Sequence, residues 1–139
     1  MSLESSDYEN LIPGATIFDN YRILRCLGKG STSVVYACRV LEEYELLAAV
    51  KILSKEAAKD SRIATRFRNE IRMSHRVNHP NVIHCIEYLK NDSAEAFSME
   101  LAEGGSLHDL MFNQGALDLR QSLRILLQLC KAVQAIHNA

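Results

Sequence analysis

A chain of 139 residues, 47% hydrophobic and 24% charged, has the apolar content for one small domain or part of a larger one, which excludes disorder throughout. A formal net charge of −1, with basic residues scattered among acidic ones, implies no nucleic acid and no membrane surface as a partner. No apolar run reaches the roughly eighteen residues of a membrane span, and the polar start from Met1 to Asn10 lacks the apolar stretch of an export signal, so a cytoplasmic location is expected. Cys26, Cys38, Cys85 and Cys130 are dispersed, form no CxxC pair, and are expected as core fillers in a reducing compartment.

Residues 1–20 read as a leader, with Pro13-Gly14 a turn and a short extended segment before the first strand. Strands are expected from Tyr21 to Leu27 and from Val34 to Arg39, joined by Leu27-Gly28-Lys29-Gly30-Ser31-Thr32-Ser33. Glycine removes the Cβ and permits φ > 0, so backbone N–H groups can cover a polyphosphate closely; an ordinary hairpin turn explains this loop equally well on its own. After a charged hairpin at Leu41-Glu42-Glu43-Tyr44, a third strand is expected from about Leu46 to Leu53. Strand alternation sends Ala48, Val50 and Ile52 to one face and Ala49, Lys51 and Leu53 to the other. Lys51 there is either a snorkelling surface lysine or a buried one with a partner.

From Asp60 to Val77 the period becomes helical, with Ile63, Phe67 and Ile71 on one stripe, Arg62, Arg66, Arg68 and Arg72 outside it, and Asp60 or Ser61 as the cap. Glu70 lies beside the stripe, nineteen positions after Lys51, and reads either as one of several solvated helix acids or as a partner for a buried lysine. His75 and His79 have the spacing of a helical metal pair. Pro80 directly after His79 ends the helix, however, and His79-Pro80-Asn81 reads as a turn. Strands are expected from Val82 to Tyr88 and Ala94 to Met99, around a Lys90-Asn91-Asp92-Ser93 turn. Gly104-Gly105 then leads into a short helix capped by Ser106, with His108 on its solvated side, that ends near Gly115. Asp118 to Gln121 opens a longer helix with the apolar face Leu119, Leu123, Leu126, Leu127, Cys130, Val133 and Ile136; His137, at its end, reads as structural.

In this order the segments resemble a protein kinase domain of the Ser/Thr type, with a lead-in similar to that of bacterial kinases. Gly28 and Gly30 match the first two glycines of GxGxxGxV and Val35 its valine, while Ser33 stands at the third glycine, a departure that implies a stiffer flap. The resemblance implies an α+β fold: a five-stranded antiparallel sheet with helix αC over residues 21–103, then αD and αE of an incomplete second lobe over 104–139. It implies ATP binding by Leu27, Gly28, Lys29, Gly30, Ser31, Thr32, Ser33, Val35, Ala49, Lys51, Met99, Glu100 and Ala102. Ala49 would leave room for adenine, Val35 would close on it, Lys51 would reach the α and β phosphates and Glu70 would hold Lys51. Met99 would be the gatekeeper, and the Glu100 carbonyl and Ala102 N–H would read the adenine edge.

The 139 residues contain neither HRDxxxxN nor DFG, so no catalytic residue and no metal ligand is expected here. Mg²⁺ is expected only in a complete enzyme, and this chain alone is expected to bind nucleotide weakly, to transfer no phosphate and to expose the apolar stripe of its last helix. A protein substrate or regulatory protein is the implied partner besides ATP. Ser74, where an apolar residue usually couples αC to the sheet, would loosen that coupling unless it finds a backbone partner; Cys85 is the next member of the stack. The alternatives are a non-catalytic, kinase-like interaction module (a pseudokinase) and an unrelated nucleotide-binding α+β protein. The strand-loop-strand order argues against the second, because phosphate sites of that kind follow a parallel βαβ order.

Overall fold

The computed structural model describes residues 7–43 and 46–139; Tyr44, the last residue of the expected charged hairpin, lies outside them. A 3-10 turn at Asp7–Glu9 leads into strands β1 (Thr16–Ile17), β2 (Tyr21–Lys29), β3 (Ser33–Val40) and β4 (Leu47–Leu53). Helices α1 (Lys55–Lys59) and α2 (Ser61–Arg76), strands β5 (Cys85–Lys90) and β6 (Glu95–Glu100), and helices α3 (Leu107–Gln114) and α4 (Leu119–His137) follow. The sheet is antiparallel in the order β1-β2-β3-β4-β6-β5. It has six strands where five were expected, because Thr16 and Ile17 pair with Arg22 and Tyr21.

The two faces of β4 separate two cores. Ala48, Val50 and Ile52 join Tyr21, Ile23, Val34, Tyr36, Cys38 and Val40 on one face, which the N-terminal segment covers with Tyr8 and Ile17. Tyr36 ties that segment down: its hydroxyl donates to the Tyr8 carbonyl at 3.1 Å and accepts from the Leu11 N–H at 3.1 Å. Residues 8–18 of the expected leader therefore contribute to this core. On the opposite face Leu53 packs with Ala57, Ala64, Phe67, Ile71, Cys85 and Phe97 beneath α2. The sheet curls enough for the Tyr21 hydroxyl on β2 to donate to Glu87 on β5 and to accept from the Ser98 hydroxyl on β6.

Three local outcomes differ from the expected elements. Lys55–Lys59 forms the short helix α1, because the Ser54 side chain caps Ala57 N–H and Ala57 buries against the α2 core. β5 starts at Cys85 instead of Val82, since the His79 to Val82 turn closes on itself through Val82 N–H to the His79 carbonyl. Only Cys38 and Cys85 are buried; Cys26 and Cys130 are exposed, so two of the four cysteines are not core fillers. The caps of α2, α3 and α4 are Asp60, Ser106 and Asp118, the last two in reciprocal capping boxes with Asp109 and Gln121.

α4 turns its apolar side outward. Leu119, Leu123, Leu126, Leu127, Val133 and Ile136 are all exposed, and Ala132 is its buried residue. It is tied to the sheet side by Asn81, whose Nδ2 donates to the Gln128 carbonyl at 3.2 Å. Among the described residues no helix is long and apolar enough to cross a membrane.

Candidate nucleotide-binding cleft

Register builds the site. Residues directly opposite one another in an antiparallel sheet project to the same face. One such row runs Gly28, Val35, Lys51, Phe97 and Tyr88 across β2, β3, β4, β6 and β5. The next runs Arg25, Ala37, Ala49, Met99 and Cys85. Both rows lie on the α2 side of the sheet. Ala37 and Ala49 are buried between larger neighbours, which keeps the floor of the cleft low.

Lys51 Nζ donates to both carboxylate oxygens of Glu70, at 2.8 and 3.0 Å. It also lies 5.6 Å from the centroid of the Phe97 ring, so the ammonium is held from two sides. The Lys51 side chain is 23% exposed and that of Glu70 is 51% exposed. The pair thus sits at the open edge of the cleft, where a ligand anion can reach the ammonium.

The glycine loop is a hairpin whose Gly30 N–H donates to the Ser33 carbonyl at 2.8 Å, with the Thr32 carbonyl accepting from Ser54 N–H at 2.9 Å. Neither Gly28 nor Gly30 has a positive φ, so the conformational freedom expected of them is not used here. A Cβ built on Gly28 meets nothing within 4 Å, and one on Gly30 meets only the Ser33 carbonyl at 3.5 Å. The chain's own packing therefore does not require glycine at either position, and a close approach by something over this face would. Ser33 is regular strand opposite Leu53, which explains how serine replaces a third glycine without strain. Lys29, at the loop, is drawn back by Asn10 Oδ1 at 3.2 Å.

At the far end of β6, Met99 lies opposite Ala49 and Glu100 opposite Ala48. Glu100 N–H donates to the His84 carbonyl, turned away from the cleft, while Ala102 N–H has no backbone partner among the described residues. The His79 turn is fixed by Asn81 N–H donating to His79 Nδ1 at 3.1 Å. Ser74 Oγ donates to the Ile83 carbonyl at 3.2 Å, so the polar group in the expected apolar stack is satisfied and gives no reason for a loosened α2. Among the described residues no cluster of three or more His, Cys, Asp or Glu is placed to hold a metal.

Sequence reasoning missed Ala37 and Phe97. Ala37 was legible in principle, two positions after Val35 and hence on the same face. Phe97 was not, because its place under Lys51 depends on β6 pairing with β4 out of sequence order.

This curled sheet, its flanking helix and the lysine–glutamate pair define a protein kinase fold. The protein kinase domain family model matches residues 21–139, and the chain belongs to that family. It is 30% identical over 128 residues to a probable serine/threonine-protein kinase, CPE1738, of Clostridium perfringens, covering 91% of this chain and 18% of that protein. It is 34% identical over 124 residues to CBL-interacting protein kinase 12 of Oryza sativa subsp. japonica, covering 89% of this chain and 23% of that one. The PknI kinase domain of Mycobacterium tuberculosis has the same fold, with a TM-score of 0.74 at 24% identity over 93% of this chain and 52% of that domain. The chain thus spans about a fifth of the length of these curated relatives and about half of the solved kinase domain.

Proposed function

We propose that this chain is the ATP-binding portion of a Ser/Thr protein kinase, which transfers the γ-phosphate of ATP to protein hydroxyls. The observation that carries the reading is the Lys51–Glu70 pair in the same row as Gly28 and Val35, under a loop whose glycines the chain's own packing does not require. Lys51 binds the α and β phosphates, and Glu70 orients its ammonium and balances the charge when nucleotide is absent. The loop from Gly28 to Ser33 covers the phosphates, with Lys29, Ser31 and Thr32 between the contacting groups. Leu27 and Val35 close on the adenine from above, Ala49 leaves room for it, and Met99 stands behind it. The Glu100 carbonyl and Ala102 N–H read its edge, and in this arrangement Ala102 N–H is available to donate.

Residues 21–103 form the nucleotide-binding lobe in this reading, and 104–139 the first two helices of the second lobe. The proton transfer and the Mg²⁺ ligands belong to HRDxxxxN and DFG segments, which these residues do not contain. A protein substrate and a cytoplasmic setting go with the same reading.

The test is nucleotide-dependent stabilisation of the chain, with Lys51→Met as the comparison. Stabilisation by ATP that is weak in the parent and lost in Lys51→Met is the expected result, without phosphate transfer in either. Stabilisation that survives Lys51→Met would overturn the assignment of the site.

A further inference from the structure

The proposed site needs Glu70 to stay beside Lys51, yet that pair is a weak tether, since ion pairs as open to water as this one contribute little by themselves. The sheet side of α2 offers limited help: Ala64, Phe67 and Ile71 are the buried members of its sixteen residues. Apolar burial is non-directional, so such a stripe holds the helix against the sheet without fixing its rotation about its own axis.

Two charged side chains flank the stripe. Arg68 follows Phe67 and Glu70 precedes Ile71, and one residue turns about 100° around a helix. They therefore leave α2 on opposite sides of the buried stripe. On one side Glu70 reaches Lys51 in β4. On the other, Arg68 Nε donates to Glu95 Oε2 at 2.9 Å and Nη2 to Oε1 at 2.5 Å, a parallel fork onto the first residue of β6. The Glu95 side chain is only 13% exposed and has a second cation, Lys90 Nζ, at 3.4 Å. Glu95 and Phe97 are alternate residues of β6 and share a face. Phe97 packs against Phe67 of α2 with ring centroids 5.2 Å apart and lies under the Lys51 ammonium. One face of one strand thus touches α2 at Arg68 and Phe67 and meets the lysine that Glu70 must reach.

We propose that the Arg68–Glu95 pair is a positioning latch that sets the roll of α2 about its axis and so keeps Glu70 within reach of Lys51. With the latch open, the helix can turn on its stripe and the carboxylate leaves the ammonium. The consequence for nucleotide rests on the functional reading above; the geometry itself does not.

The test reads Lys51 directly, through the rate at which its amine is acetylated by acetic anhydride, mapped by peptide mass spectrometry on the full chain. Glu70→Gln sets the rate of an unpaired Lys51. Arg68→Ala and Glu95→Gln are expected to raise the Lys51 rate severalfold towards that limit, with Lys55 unchanged as an internal control. Arg68→Lys, which keeps the charge and loses the fork, should fall between them and the parent. Arg68→Ala leaves Glu95 beside Lys90, so its carboxylate is not stranded, and Glu95→Gln preserves shape should Arg68→Ala fold poorly. A Lys51 rate at the parent value in both variants, or one that Glu70→Gln also fails to raise, overturns the latch. Nucleotide-dependent stabilisation, measured beside it, is expected to weaken in both variants. If the parent shows none while labelling behaves as expected, the functional reading fails and the latch stands.

Discussion

Tyr8→Ala tests whether the N-terminal segment is part of the folded unit or a detachable strap. Tyr8 is 4% exposed; its ring lies 5.8 Å from that of Phe18 and its hydroxyl accepts from Asn91 Nδ2 at 3.0 Å. Truncating a buried aromatic to alanine costs about 3–5 kcal/mol, and the low end applies because a surface segment can partly relax into the gap. With the usual unfolding entropy per residue, about 3 kcal/mol in a chain of this size lowers Tm by on the order of 10 °C. Tyr8→Phe removes only the hydroxyl and should cost about 1 kcal/mol. Urea denaturation of the three proteins supplies the energies. Hydrogen exchange at Leu11, whose N–H donates to the Tyr36 hydroxyl, reports whether the segment lifts away locally. A Tyr8→Ala chain as stable as the parent, with Leu11 equally protected, would refute the reasoning and return residues 7–17 to the status of a leader.

The remaining predictions concern other parts of the chain. Tyr21→Phe strips Ser98, which is fully buried, of its partner and should cost about 1–3 kcal/mol; Tyr21→Phe with Ser98→Ala should cost less than the sum of the single changes, as a double-mutant cycle in urea will read. The hydrogen bonds from Arg68 hold the Glu95 carboxyl down at about 2 against an ordinary 4.5. Its contribution is therefore present above pH 4.5 and lost as pH falls towards 2, and Arg68→Ala should flatten that acid limb of a stability–pH curve. Burial pushes the Cys38 thiol from 9 up to about 12, so its contribution is present below pH 9 and is lost as pH rises through that interval; Cys38→Ala should remove this alkaline loss. The outward leucines of α4 should drive concentration-dependent association of the chain, and Leu123→Glu with Leu127→Glu should shift sedimentation towards monomer.

Much of this was legible in the order of residues because it depends on short-range geometry. Alternation over Ala48 to Leu53 sorted Lys51 and Leu53 from Val50 and Ile52, and the structure puts Val50 and Ile52 in one core and Leu53 in the other, with Lys51 on the Leu53 side reaching Glu70. The four-residue recurrence of Phe67 and Ile71 placed the buried side of α2, and with it the flank that carries Glu70. Asp60, Ser106 and Asp118 announce helix starts because a cap acts within three residues of itself.

What depends on the curl of the sheet was not legible. Phe97 comes to lie under Lys51 because β6 pairs with β4, and Glu95 meets Arg68 because that same strand passes beneath α2. The polar start of the chain concealed that Tyr8 and Ile17 complete the core on the outer face, and the dispersed cysteines did not reveal which two are exposed. The pattern of a single strand or helix records which side is apolar. Which distant element that side meets is decided only when the strands pair out of sequence order and the sheet bends over its own helix.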